Sequence, residues 1–183
     1  VQAQAGEKRN GFLKVGETPL SEIGLPVGIV NGADSGPTLC LIAGEHAMEY
    51  PGIDAAIRVF RSTDPAELSG TLIVVPVVNT PAFDARTPYV CPLDNVDVSR
   101  AGGEEKLTIS HRIIRTLVQE VISKADCLLN LHGGDLPELL QPCTIVYYTG
   151  HEDVDAMSAN IARVFGTDYL VLGRRPAIST VAE

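Results

Sequence analysis

Four short, nearly uninterrupted apolar runs constrain this chain more than any other feature: residues 38–43 (TLCLIA), 71–78 (TLIVVPVV), 127–131 (CLLNL) and 144–149 (TIVYYT). Each has the length of a strand rather than a helix, and the first three, without polar alternation, read as buried strands. The stretches between them carry helical periodicity. Pro51 suits the first turn of a helix whose apolar face is Ile53, Ala56, Ile57 and Phe60. Residues 105–124 repeat apolar side chains at Ile113, Ile114, Leu117, Val118, Val121 and Ile122, and residues 152–165 read as a further helix. Residues 168–172 and 177–181 read as strands. Buried strands alternating with helices predict an α/β fold, a mixed, mostly parallel sheet with helices on both faces.

Elsewhere the pattern is looser. Residues 1–11 read as a frayed leader, and 12–30 as one or two short strands ending in the turn-like segment 31–37. Pro76 is expected to mark an edge or a strand end within 71–78. Residues 79–103 form a long polar connection of the kind that is usually functional. The chain opens on Val1 and stops at Glu183 just after a β-like run, which suggests a portion of something longer.

Composition narrows the function. With 14 Lys+Arg against 23 Asp+Glu the chain carries a formal charge of −9, and without a basic patch nucleic acid is not an expected partner. No apolar run approaches the roughly 18 residues that span a membrane. Cys40, Cys91, Cys127 and Cys143 are widely spaced, with no CxxC pair, as expected for reduced thiols of a cytoplasmic protein. There is no GxGxxG or GxxxxGK[ST] loop to cradle a nucleotide.

In open α/β sheets, ligands bind beyond the carboxyl ends of the strands. Gly44-Glu-His46-Ala-Met-Glu49 follows the first buried run, Asn79 the second, His132-Gly-Gly-Asp135 the third, and Ala182-Glu183 the β-like run 177–181. A hydrolytic zinc takes three nitrogen or oxygen ligands, often two His and one Glu, and leaves a position for water. His46 and Glu49, three residues apart at a strand-to-helix bend, can face one point, with His132 arriving from a neighbouring strand. His111 and His151 read as surface histidines, and Asp135 and Glu138 as a solvated turn.

The segments 44–52 (GEHAMEYPG), 77–83 (VVNTPAF), 92–100 (PLDNVDVSR) and 130–135 (NLHGGD) resemble, in order, those of the succinylglutamate desuccinylase/aspartoacylase family, relatives of the zinc carboxypeptidases. The resemblance implies a carboxypeptidase-like fold and one Zn2+ per chain on His46, Glu49 and His132. It further implies hydrolysis of a small N-acylated amino acid or similar carboxylate-bearing molecule. Arg100, with Ser99 and Asn79, matches the substrate-binding positions; Arg86 matches an arginine that polarises the scissile carbonyl and steadies the oxyanion. Glu183 falls where the family places its general base. On this reading residues 1–36 are an N-terminal leader with short strands, and 37–183 a zinc-hydrolase catalytic domain lacking its C-terminal portion. The expected partner is a small-molecule substrate, with a homo-oligomer left open.

The chain departs from the family pattern at Ser99, where the family carries Asn, at Ala47 for Gly, at 101–103 (AGG) for aromatic-Pro-Gly, and at Asn130 for an acid. Two alternatives stay in view: a carboxypeptidase-like peptidase or esterase with the same metal set and, on the departures at Ser99 and Ala47, a catalytically impaired relative that serves as a binding module.

Overall fold

A computed structural model describes residues 1–102 and 108–174 of the chain. It divides into two compact units. The first, over residues 1–138, contains strands β1 (Glu7–Glu17), β2 (Glu22–Asn31) and β3 (Asp34–Ala43), helix α1 (Tyr50–Ser62), strand β4 (Ser69–Val75) and helix α2 (Thr80–Ala85). Short strands β5 (Val90–Cys91) and β6 (Val96–Asp97), helix α3 (Ile109–Glu120) and strand β7 (Cys127–Leu131) follow. The main sheet has the order β1-β2-β4-β3-β7. β1, β2 and β4 pair antiparallel, whereas β4, β3 and β7 pair in parallel, so the sheet is mixed.

Both faces of the sheet are covered, and the alternation of side chains assigns each residue to one of them. Cys40 and Ile42 of β3, with Ile73 and Val75 of β4, pack on one side with Ile113, Ile114 and Leu117 of α3. Leu41, Ala43, Leu72 and Val74 point the other way, against Ile53 and Ala56 of α1. This is why the β3 and β4 sequences read as continuous apolar runs. All four cysteines are free, and burial pushes the Cys40 thiol up to about 12.

Three expectations change. Residues 7–11, read as leader, belong to an eleven-residue strand whose register with β2 runs from Glu7↔Asn31 to Glu17↔Glu22. That strand alternates half-buried and exposed positions at a sheet edge, which leaves only a weak apolar signal in the sequence. Within the connection read at 79–103, residues 80–100 contain α2, the β5–β6 pair and a 3₁₀ turn at Val98–Arg100. Its polarity is used internally: Asp94 accepts hydrogen bonds from the Ser110 backbone (2.7 Å) and hydroxyl (2.8 Å), tying the connection to the start of α3. Finally, His111 is buried, and its ring meets the Thr108 hydroxyl at 2.7 Å. Pro76 lies just past the last residue of β4, as expected of a strand end.

The second unit begins at Leu139. Strands β8 (Cys143–Tyr148) and β9 (Tyr169–Arg174) pair in parallel, connected through helix α4 (Glu152–Phe165). The strand read at 177–181 lies outside the described residues. Among the described residues no helix is long and apolar enough to cross a membrane.

Candidate metal centre

β3 and β7 are parallel neighbours, with Ala43 opposite Leu131, so the segments that follow them emerge side by side. The bend after β3 requires Gly44: its φ is +67°, and a Cβ there would stand 3.1 Å from the Val77 Cα. Backbone bonds from Val78 to Ala43 (3.0 Å) and from Asn79 to Gly44 (2.9 Å) fasten the same bend to the end of β4. Asn79 is fully buried, its side-chain Oδ1 accepting from the Ala82 amide to cap α2 and its side-chain NH2 donating to the Glu45 backbone carbonyl (3.4 Å).

This frame brings together all three ligands expected from the sequence. One candidate ligand atom from each of His46, Glu49 and His132 lies within 4.8 Å of the others. Glu49 is the hinge of the cluster. Its two carboxylate oxygens stand 2.9 Å from the Nδ1 atoms of His46 and His132, and the Gly133 backbone donates to it at 3.1 Å. Although Glu49 occupies the N-cap position of α1, its side chain makes no capping bond. A helix cap is thus forgone for the site, and Pro51 in the first turn reduces what must be capped.

Electrostatics follows from the contacts. Burial alone would raise the Glu49 pKa, but hydrogen bonds from His132 and His46 outweigh it and hold the group down to about 2. The His46 ring is raised to about 10 by Asp97 and then Glu49, and His132 to about 9 by Glu45 and then Glu49. Without a metal, the site therefore holds protons between imidazoles and carboxylates. The donor set fits a divalent cation such as zinc: two imidazole nitrogens and one buried carboxylate converge, and cation binding there releases protons.

Further residues surround the cluster, and of these the sequence does not single out Asp97, Glu45 and Tyr89. Asp97 Oδ1 lies 3.6 Å from His46 Nε2, and Glu45 Oε2 lies 3.3 Å from His132 Nε2. Tyr89 meets the His46 ring edge-on at 5.4 Å between centroids, and its hydroxyl donates to Glu138 at 3.3 Å. Asp135, expected in a solvated turn, is buried; it lies close enough to raise the Tyr89 phenol pKa, yet neither of its oxygens makes a well-directed hydrogen bond. Asp97 and Tyr89 sit in the polar 79–103 connection, where no apolar pattern marks which carboxylate turns inward.

The other anticipated residues are placed as follows. Ser99 donates to Asp97 from its hydroxyl at 2.7 Å, and Arg100 Nε pairs with Asp97 Oδ2 at 3.3 Å while remaining largely exposed. Arg86 ends α2 in the left-handed region, at φ 53°, and is exposed. Glu183 lies outside the described residues.

The fold is thus a mixed α/β sheet with a His-x-x-Glu…His cluster that could hold a metal ion at the ends of two parallel strands. Residues 35–182 match the succinylglutamate desuccinylase/aspartoacylase catalytic domain, and the chain belongs to that family. It is 26% identical over 177 residues to the N-alpha-acetyl-L-2,4-diaminobutyric acid deacetylase of Halomonas elongata, covering 94% of this chain and 51% of that protein. The chain therefore spans about half the length of this curated relative. A crystal structure of a succinylglutamate desuccinylase/aspartoacylase from Rhodobacter sphaeroides superposes with a TM-score of 0.85 at 24% identity, covering 98% of this chain and 55% of that one. The product-bound structure of the ectoine utilization protein EutE (DoeB) from Ruegeria pomeroyi gives the same TM-score at 22% identity, with 98% and 56% covered.

Proposed function

We propose that the protein is part of a zinc-dependent hydrolase that cleaves the amide bond of a small N-acylated amino acid. The observation that carries this reading is the convergence of His46, Glu49 and His132 within 4.8 Å at a strand-end bend. Membership of a desuccinylase/aspartoacylase family supports it, as does similarity to a deacetylase acting on an N-acetylated diamino acid. Zinc held by these three residues would activate a water for attack and polarise the scissile carbonyl.

The chain's own residues supply the remaining parts. Asp97 orients His46 from behind and also holds Arg100, whose exposed guanidinium grips the substrate carboxylate. Ser99, bonded to the same Asp97, stands beside that grip. Asn79 acts through the main chain, holding the Glu45 carbonyl and with it the segment that presents His46. Arg86, at the end of α2, steadies the negative charge that develops on the carbonyl oxygen. Glu183 takes the proton of the attacking water and returns it to the leaving amine.

Metal analysis of the purified protein tests this directly. One zinc per chain is expected, falling well below stoichiometric in His132→Ala. A wild-type protein that remains metal-free after incubation with zinc and removal of excess refutes the proposal.

A further inference from the structure

We infer that Glu45 is a positioning residue of the metal centre: its carboxylate holds the His132 ring so that Nδ1 faces Glu49 and the cation position. The inference rests on the proposed metal reading. Glu45 is only 2% exposed, and Oε2 lies 3.3 Å from His132 Nε2. A second contact fixes that same oxygen, since the Asn130 side-chain NH2 donates to it at 2.8 Å. The other oxygen, Oε1, is buried without a hydrogen-bond partner. A carboxylate so deeply buried is expensive to keep unless its partners hold it, so a solvated surface role does not account for it.

The two histidines are held alike. Each has Nδ1 against Glu49 and Nε2 against another carboxylate, Asp97 for His46 and Glu45 for His132. An imidazole that donates Nε2–H to a carboxylate keeps the Nδ1 lone pair free for a cation and is a stronger donor there. Asn130 completes the device. It lies on β7 two residues before His132, which follows the strand's last residue, and its amide meets the same carboxylate that faces the His132 ring. The family segment carries an acid at this position. An acid here would set two carboxylates against each other at 2.8 Å, whereas the amide donates to Glu45. In this chain, position 45 carries the acid and position 130 the amide, and the two side chains suit each other.

The test measures zinc affinity by competition with a chromophoric chelator, and the visible spectrum of the Co2+-loaded protein, for wild type, Glu45→Gln and Glu45→Ala. Circular dichroism of each metal-free protein identifies the folded variants. A second-sphere partner of a ligating histidine typically changes metal affinity by about 10- to 100-fold, so that loss is expected in Glu45→Gln, with shifted Co2+ bands. Glu45→Ala, which introduces no amide, is expected to lose at least as much. Folded variants that bind zinc as tightly as wild type, with unchanged Co2+ spectra, overturn the role of Glu45 and leave the metal reading standing. A wild type that binds no zinc overturns both.

Discussion

Gly52 ties the packing of the sheet to the geometry of the proposed metal centre, and Gly52→Ala tests that connection. The residue is buried in the first turn of α1, where an added Cβ would meet the Leu131 carbonyl oxygen at 3.0 Å and the Leu131 Cβ at 3.2 Å. Both are tighter than ordinary contacts, so the end of β7 must yield by a few tenths of an ångström. Overpacking of this kind costs about 1–3 kcal/mol. Alanine recovers up to about 1 kcal/mol of helix propensity, less near a helix start. The net expectation is destabilisation by about 1–2 kcal/mol, read as a lower urea midpoint at unchanged m-value. Leu131 immediately precedes His132, so the displacement also reaches a ligand. If about 1 kcal/mol of strain must be re-imposed when the metal binds, zinc affinity falls about fivefold. A variant with a raised urea midpoint and unaltered zinc affinity would show that the α1–β7 contact does not set the ligand, and the reasoning would be wrong.

Three further outcomes are expected. Leu117→Ala removes a fully buried α3 side chain and should lower unfolding free energy by about 2–5 kcal/mol in urea titrations, with a smaller loss meaning that the site collapses. For Asp94, burial opposes ionisation, but hydrogen bonds from Ser110 and its neighbours hold the folded pKa below its ordinary value. Its contribution is therefore present above the unfolded value of about 3.9 and is lost as pH falls through the folded one. Asp94→Asn should cost about 1–2 kcal/mol at pH 7, allowing for partial solvent screening, and progressively less in denaturation series below about pH 4. Within the proposed activity, Arg100→Ala should raise KM for a carboxylate-bearing N-acyl substrate, whereas Arg86→Ala should lower kcat; unchanged kcat/KM in both would remove both arginines from the mechanism.

The sequence by itself determined the parts of this protein whose causes are local or periodic. Uninterrupted apolar runs marked β3 and β4 because strands buried on both faces have no polar side to show, and the apolar run of β7 marked it although its residues are at most half-buried at the sheet edge. The three-residue spacing of His46 and Glu49, beside strand ends, exposed the candidate ligands for a local reason too: local geometry limits which side chains can converge. Tertiary structure alone decided the strand order β1-β2-β4-β3-β7, the place of β1 at the edge and the coverings of the two faces. It also decided the outer partners of the ligands. Glu45 meets Asn130 across 85 positions, and Asp97 reaches His46 from a polar connection that shows no periodicity. A carboxylate carries no mark of whether it faces water or an imidazole. That choice is made by the packing of distant strands, which is why Glu45 and Asp97 emerge only when β3 and β7 lie side by side.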